Sequence, residues 1–489
     1  MSLPKVSILY ANGGLLAEIA VLDGIVGLIG TGNTMLLQPK VVYNLTDAEE
    51  QGFTEDDEPV AYRHIKEFYQ EVGGTQELHI MLVPSTMTME EMADDTEVNG
   101  AKKLLIAGGG RIRMVGLFRS PDNGYDPGDE FIDADVSAAL LKAKTFCQAR
   151  VTELVPVRML IEGRVVNPEV LATATYTVTV PGTAGNIATL KSNDGENNVT
   201  LGAYTVIADD DASEVATGIR AAINALTGTH GYKASGTGAA VIVKAPVGTG
   251  AAGNDFILTD DNTGTVDGTI VDFAGGSNML ANTLLPNTFS NGYAAVVLGG
   301  SLSDGSASIG TATGRLAKYA AHIKMGKVAN GPLALTTCYI GNQEIKNILG
   351  LAALHGAGFI SFMKQPGKAG FYFGIDRMAS TDDYRLMAYG RVIDKAAIIA
   401  AAVYIEELEG EVDVDADGKI DSLALAGLRD DISQAINVGM GTQISGLIVN
   451  INPDQNIINT GTLNVQLRVR PKGYKTFINV DLGLIAPSN

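Results

Sequence analysis

Short apolar runs alternate with helix-like segments in the first third of the chain, and this order constrains the fold more than any other feature. Residues 25–32, 78–83 and 112–118 are apolar runs of the length expected of buried strands. Residues 60–72 place apolar side chains at helical spacing before two glycines, and residues 86–105 have a second helical pattern that Gly100 can break. This strand–helix–strand order predicts an α/β sheet.

The composition changes at residue 173. Residues 173–285 are rich in Thr, Gly, Val, Ala and Asn and carry four Lys or Arg against eleven Asp or Glu. Residues 175–180, 239–244 and 255–258 have strand patterns, and Ser213 is expected to cap a helix. We interpret this segment as an inserted α+β module on the surface, since its turns are too rich in glycine for a deep core.

The C-terminal region is the most regular part of the chain. Residues 391–409 and 423–438 are predicted helices, and residues 462–470 alternate apolar and polar side chains as a strand does. After a turn at residues 471–473, residues 474–482 are predicted to form a final strand. A strand so close to the end of the chain is free to pair outside its own domain.

The sequence thus predicts α/β and α+β structure, with a mixed-sheet core, an inserted module and strand-like terminal arms. Five parts follow from the changes in pattern: an arm at 1–14, an α/β domain at 15–172, the module at 173–285, a second core part at 286–460, and C-terminal strands with an arm at 461–489.

Charge and hydropathy limit the partners. With 35 Lys and Arg against 55 Asp and Glu, the formal charge is −20, which argues against nucleic acid or an anionic membrane as the main partner. The longest clean apolar run, residues 396–405, is half of the ~20 residues that a membrane span needs. With no leader segment evident at residues 1–14, we expect folding in a cytoplasm and no membrane insertion.

A search for catalytic patterns predicts no catalytic residue, metal site or cofactor. The five histidines have no metal-ligand spacing, and H-E-x-x-H, C-x-x-C, P-loop and G-x-S-x-G motifs are missing from the sequence. Two glycine clusters, Gly27-x-x-Gly30-x-Gly32 and residues 108–110, invite a nucleotide interpretation. Because neither has the G-x-G-x-x-G spacing, tight turns at strand ends are the simpler interpretation.

Residues 413–421 are the sharpest local motif. Asp413, Asp415 and Asp417 stand at positions 1, 3 and 5 of an EF-hand-like loop, with Gly418 at position 6. Position 12 falls on Ala424, where calcium binding calls for a bidentate Glu. Two interpretations stay open, an acidic solvated turn between helices and a weak cation site.

Taken in order, these elements resemble the contractile tail sheath proteins of bacteriophages and related contractile injection systems. Residues 25–83 carry the likeness through the glycine-ended strand, the sequence Val-Val-Tyr-Asn-Leu-Thr-Asp at 41–47 and the helix that follows. Residues 370–482 carry it through Gly-Ile-Asp-Arg at 374–377, the two helices, a turn at 439–441 and the terminal strands. The 173–285 module is similar to the Thr- and Gly-rich insertion of some sheath proteins.

The resemblance implies a structural protein and not an enzyme. Sheath subunits form stacked hexameric rings around a tail tube, meet baseplate and tail terminator proteins, and contract to drive the tube through a cell envelope. It also implies a virion tail protein that is assembled in the host cytoplasm. Terminal arms of such proteins add strands to neighbouring subunits, and the matching residues here are Val6, Ile8, Tyr10, Phe477, Ile478, Val480 and Leu482.

Two other functions are compatible with the sequence. The glycine cluster at 27–32 and the strand–helix rhythm are also found in nucleotide- or sugar-binding α/β enzymes. The Thr- and Gly-rich module is also typical of a bacterial surface or adhesion protein, although no leader segment is evident.

Overall fold

The computed structural model describes residues 23–480 except for 123, 129, 168, 196, 278–282 and 349–350. Up to residue 163 its strands and helices alternate, as the sequence predicted. In chain order these elements are β1 (Val26–Thr31), β2 (Lys40–Val42), α1 (Leu45–Glu50), α2 (Pro59–Val72), β3 (Leu78–Val83), α3 (Met89–Met92), α4 (Ala101–Ala107), β4 (Met114–Phe118), α5 (Ala134–Thr152) and β5 (Arg158–Gly163).

The region predicted as an inserted module is rich in antiparallel strands. Its elements are β6 (Thr173–Val180), β7 (Ile187–Asn193), β8 (Asn198–Thr205), α6 (Ala212–Ala225), α7 (Thr227–His230), β9 (Lys233–Ser235), β10 (Ala240–Lys244), β11 (Ile257–Asp260) and β12 (Asp267–Ala274).

The remainder of the chain completes the main sheet and then builds a helix–helix–hairpin unit. Its elements are β13 (Ala294–Leu298), α8 (Ile309–Lys318), β14 (Tyr339–Ile340), β15 (Gln343–Glu344), α9 (Leu351–Ala357), β16 (Ile360–Met363), β17 (Tyr372–Phe373), α10 (Met387–Glu406), α11 (Ser422–Met440), β18 (Ile444–Ile451), α12 (Ile457–Thr460) and β19 (Val465–Pro471).

The main sheet has eight strands in the order β17-β16-β13-β5-β4-β1-β3-β2. The six central strands from β16 to β3 are parallel, while the edge strands β17 and β2 pair in antiparallel orientation. Every residue of β1, β3, β4, β5 and β13 is buried, as expected for strands covered by helices on both faces. The predicted α/β fold class is therefore confirmed.

Helices cover both faces of this sheet. On one face α2 and α8 pack against each other closely, because Gly310 of α8 lies directly against the main-chain carbonyl of His64. On the other face lie α3, α4 and α5. The helical pattern over residues 86–105, for which a break at Gly100 was one interpretation, forms two short helices separated by residues 93–100. Gly100 directly precedes α4, and a β-carbon there would lie 2.8 Å from the carbonyl oxygen of Met92.

The inserted region has its own core between a four-stranded sheet (β12-β6-β10-β9), a three-stranded sheet (β11-β7-β8) and α6. Asp211, and not the expected Ser213, caps α6, because its carboxylate accepts hydrogen bonds from two main-chain N–H groups of the first turn. The module's entry and exit meet: Val170 and Ser277 exchange main-chain hydrogen bonds of 2.9 and 2.8 Å.

The predicted helices of the C-terminal region are confirmed with small shifts in their bounds, as α10 and α11. These two helices and the β18–β19 hairpin share a separate small core that includes Ile432, Ile436 and Met440 of α11. We refer to residues 387–480 as the C-terminal unit.

Candidate assembly interface

The β18–β19 hairpin is an antiparallel pair whose alternation gives it one apolar and one polar face. Leu447 lies opposite Val469 and Val449 opposite Leu467, and these side chains pack on α10 and α11. Alternate residues such as Arg468 point the other way and are exposed. Of the alternation predicted at 462–470, residues 465–470 lie in β19, and their apolar and polar side chains point to the predicted sides.

Both outer edges of this hairpin are open in the described part of the chain. The sheet contains β18 and β19 alone, so neither strand has a second neighbour among the described residues. Unpaired strand edges present rows of main-chain N–H and C=O groups that another strand can bind. A two-stranded sheet is also marginal by itself, and it gains stability from added strands.

The segment after β19 corrects one prediction. Residues 472–480 form neither helix nor strand, whereas the sequence predicted a strand from residue 474. Phe477, Ile478 and Val480 are 81%, 73% and 76% exposed. A lone extended segment has no ladder of hydrogen bonds to hold it as a strand, so its alternation alone does not produce one.

Tyr474 fixes the start of this exposed segment. Its ring lies 5.6 Å from that of Tyr389 and 5.3 Å from the Lys324 ammonium, measured from the ring centroid. Its hydroxyl donates a hydrogen bond to the carbonyl of His322, and partial burial raises its pKa. The chain is thus held up to Tyr474 and is exposed beyond it. The other predicted arm residues, Val6, Ile8, Tyr10 and Leu482, lie outside the described residues.

Buried ion pairs join α10 to the main sheet. Arg158 of β5 makes a bidentate contact with Asp394 at 2.6 and 2.8 Å, and Lys395 contacts Asp23 at 3.0 Å. Arg391 donates to three main-chain carbonyls nearby, and burial lowers its pKa to about 10. Since breaking a buried pair leaves an uncompensated charge, these contacts hold the start of α10 against the sheet.

The glycines that suggested a nucleotide site serve close packing. A β-carbon at Gly30 would overlap the Phe118 ring of the neighbouring strand, and one at Gly27 would lie 2.8 Å from a methyl group of Leu104. Gly32 is closed in by Leu82. Gly27 and Gly30 lie inside β1 and let it fit among large side chains, so they do not form the tight turn at a strand end that the sequence predicted.

The carboxyl edge of the parallel strands, where open α/β sheets bind ligands, is occupied by the chain's own carboxylates. Glu58 accepts hydrogen bonds from the main-chain N–H groups of Asn33 and Thr34 in the loop after β1. Glu67 accepts from the hydroxyls of Ser301 and Ser308, at 2.6 and 2.8 Å, just before α8. These donors would be the ones to hold a phosphate at this edge.

Two more carboxylates complete this arrangement. Glu162 accepts from the main-chain N–H groups of Arg119 and Ala307 at 2.7 and 2.9 Å, and its burial raises its pKa. Asp135 accepts from the N–H groups of Met89 and Glu90 at the start of α3. The geometry of this edge gives no support to the nucleotide interpretation.

The acidic loop at 413–421 uses its side chains internally. Asp415 accepts from the main-chain N–H groups of Asp417 and Lys419, each at 2.9 Å, and Asp421 caps α11. Lys419 pairs with Asp454 at 2.8 Å. Nowhere in the described ranges do three or more His, Cys, Asp or Glu side chains form a metal-binding group. The acidic-turn interpretation is the one that this geometry favours.

Comparison with protein families gives one match. A family model described as "DUF2586, N-terminal domain" matches residues 3–247, which is half of the chain. The chain belongs to the DUF2586 family. No curated protein matches this DUF2586 chain.

Solved structures similar to the DUF2586 chain include sheath proteins of contractile systems. The helical sheath of the anti-feeding prophage in its contracted state matches with a TM-score of 0.48 and 12% identity, covering 99% of each chain. The contracted sheath complex of PVC, an extracellular contractile injection system, matches with 0.46 and 11%, covering 99% of this chain and 98% of that one. A sheath tail protein from Listeria innocua matches with 0.34 and 10%, covering 92% of each.

The DUF2586 chain is thus similar to the class of proteins that its sequence resembles. Since each TM-score is below 0.5, we base the proposed function on the residues of this chain. In the part of the chain that is described, no helix is both long and apolar enough to cross a membrane.

Sequence reasoning missed the residues that hold the C-terminal unit in place. Arg158 and Asp394 are 236 positions apart, and no local pattern links them. Tyr474 had a weak signal, an aromatic residue directly after a Pro-Lys-Gly turn. The carboxylates at the sheet edge had none, because each binds main-chain N–H or serine hydroxyl groups that only the fold brings close.

Proposed function

We propose that this chain is the structural subunit of a contractile tail sheath. Copies stack as hexameric rings around a tail tube and shorten to drive the tube through a cell envelope. The observation that supports this best is the open-edged β18–β19 hairpin, followed by an exposed apolar segment at 475–480. A free edge and an exposed strand-forming segment on the same chain are complementary, so identical copies can join through them.

In the proposed assembly, arms of neighbouring copies add strands to the β18–β19 hairpin. The arm residues are Val6, Ile8, Tyr10, Phe477, Ile478, Val480 and Leu482. Strand addition satisfies main-chain groups that are otherwise open at the edges, and it buries the apolar side chains of the arm. Tyr474 fixes the point where the C-terminal arm leaves its own subunit.

The buried ion pairs of α10 would carry a movement of the lattice into the body of each subunit. Arg158, Asp394 and Lys395 join α10 to the main sheet, so a displacement of the hairpin is passed to the body of the subunit. The energy for contraction comes from relaxation of a strained lattice into one with more buried interface, and neither ATP hydrolysis nor any other catalysis by this chain is part of the mechanism.

Further partners follow from this proposal. A tail tube protein lies inside the sheath, and baseplate and tail terminator proteins bind its two ends. The module at 173–285 faces outward and decorates the cylinder. The protein belongs to a virion tail or a related device assembled in the host cytoplasm.

Negative-stain microscopy of the purified chain tests the proposal, and tubes or ring stacks are expected. Deletion of residues 474–489 is expected to abolish these polymers while the circular dichroism spectrum and melting temperature stay nearly unchanged. A matched pair sharpens the test: Phe477→Ser with Ile478→Ser should weaken polymers, whereas Val271→Ser, at a site 65% exposed on the module, should not. A chain that remains monomeric at high concentration would contradict the proposal.

A further inference from the structure

The outer face of the β18–β19 hairpin carries exposed basic side chains beside Ile448, which is 55% exposed. Arg468 lies opposite Ile448 and Arg470 opposite Gly446, and both arginines are exposed on this face. Lys472 and Lys475 follow directly, and residues 464–480 contain no Asp or Glu. On a chain with a formal charge of −20, this stretch is a concentrated exception. We call residues 468–475 the basic stretch.

An acidic counterpart lies in the same unit. Residues 406–417, from the end of α10 into the loop before α11, carry seven Asp or Glu and no Lys or Arg. All seven side chains are exposed. We call these residues the acidic segment.

The C-terminal end of the basic stretch and the acidic segment lie at opposite ends of α10. Tyr474, inside the basic stretch, contacts Tyr389 in the first turn of α10, whereas the acidic segment begins where α10 ends at Glu406. Because α10 has 20 residues, these ends are about 30 Å apart. At physiological salt, exposed charges interact over only ~8–10 Å, so Lys472 and Lys475, beside Tyr474, have little attraction to the acidic segment of their own copy.

We propose that the acidic segment of one copy docks on the outer face of the β18–β19 hairpin of the next, against its basic stretch. This inference rests on the proposed function and names the surface through which successive subunits meet. The partner is a second copy, because the same chain carries both charge signs at separated positions. Such a contact is head-to-tail, and head-to-tail contacts that do not close on themselves generate open helices.

The net charge makes this contact important for assembly. Copies with a formal charge of −20 repel one another over most of their surface. A local basic face reverses the sign of the interaction at one place, which fixes both the partner surface and its orientation. The proposed strand exchange then acts on copies that are already aligned.

Charge reversal tests the contact in pelleting assays on the full chain. A basic-side variant carries Arg468→Glu, Arg470→Glu and Lys475→Glu. An acidic-side variant carries Glu407→Lys, Glu409→Lys and Glu411→Lys. A matched control carries Lys346→Glu, Lys364→Glu and Lys368→Glu at exposed positions of the main domain. Each of the first two should lower the polymer fraction by about tenfold or more, and the control should not. Combining the first two in one chain should restore polymers.

The outcomes separate this inference from the function on which it rests. If the unaltered chain never polymerises, both are overturned. If it polymerises and neither reversal matters, the inference alone is overturned. Loss in the basic-side variant without recovery in the combined variant also overturns it, because the hairpin face then meets another partner, such as a tube protein.

A cross-linking experiment gives an independent readout. A chain with Glu411→Cys and Arg470→Cys should form ladders of disulfide-linked multimers on mild oxidation. Either substitution alone should give no ladder, since the natural Cys147 and Cys338 are buried. If the double variant forms tubes but gives no disulfide-linked multimers on oxidation, the proposed contact is contradicted.

Discussion

The hydroxyl of Tyr474 donates a hydrogen bond of 2.7 Å to the main-chain carbonyl of His322, 152 residues earlier in the chain. This bond lies between the last residues of β19 and the exposed segment beyond. It marks where the exposed segment at 475–480 leaves the packed part of the chain.

Tyr474→Phe should loosen this departure point with little change elsewhere. Removing one such hydrogen bond costs about 1 kcal/mol, while the ring contact with Tyr389 is kept. We expect faster trypsin cleavage at Lys472 or Lys475, and little change in the melting temperature. Tyr404→Phe, in the second half of α10, is the matched control. Equal cleavage rates in the unaltered chain and in the two variants would show that this hydrogen bond does not hold the start of the exposed segment.

Arg158→Met should be strongly destabilising. The Arg158 side chain is 2% exposed, and its loss leaves Asp394, at 12%, without its bidentate partner. Breaking a buried pair in this way typically costs about 3–5 kcal/mol in the free energy of unfolding, measured with urea. Adding Asp394→Leu should recover part of this loss.

A surface pair provides the comparison for that experiment. Lys191 and Asp261 contact each other at 2.5 Å, but their side chains are 31% and 64% exposed. Lys191→Met should therefore cost less than about 1 kcal/mol. Similar losses at both sites would mean that the Arg158 pair does not secure α10.

The pH dependence of stability should report on His64. Burial, and then the nearby Arg63 charge, lower its pKa well below the usual value. The unfolded chain therefore takes up the proton first, and stability falls as the pH decreases below about 6.5. A His64→Leu variant should be less stable at pH 7, yet lose about 1–2 kcal/mol less between pH 6.5 and 5. If the stability of the unaltered chain and of the His64→Leu variant changes with pH in the same way, His64 is not buried in its neutral form.

Gly30→Ala should distinguish packing from phosphate binding. Its new methyl group overlaps the Phe118 ring, and overpacking of this kind costs about 1–3 kcal/mol. Gly74→Ala, where nothing lies within 4 Å of the added atom, should be nearly neutral. In the same thermal-shift assay, nucleotides should not raise the melting temperature of the unaltered chain. A nucleotide-dependent rise that Gly30→Ala removes would favour the enzyme hypothesis.

Local patterns predicted those parts of the fold whose causes are local. The alternation at 462–470 became β19, and the helical spacing at 60–72 became α2, with Gly73 at its end in a left-handed conformation. Where neighbours in space decide, sequence patterns were insufficient. The helical pattern at 86–105 became two short helices, with Gly100 before the second packed against the carbonyl of Met92, and residues 474–480 are not a strand because no described strand pairs with them.

The candidate interface was predictable only in part. Alternating side chains near the end of a chain suggested an exchanged strand, and the hairpin beside it follows from its pattern. The ion pairs of Arg158 and Lys395 were not predictable, because their partners come from distant positions. The separation of charge along α10 could be recognised only once the structure showed the helix beside the hairpin.

The hydrogen bonds between Val170 and Ser277 have a practical consequence. Because the chain leaves and re-enters the host domain at one spot, about a hundred residues form a detachable outgrowth. Another compact domain whose own termini lie close together can be spliced at this joint without rerouting the scaffold. Sequence changes in residues 173–285 would then evolve separately from the host domain, and an engineer can use the same joint to attach cargo.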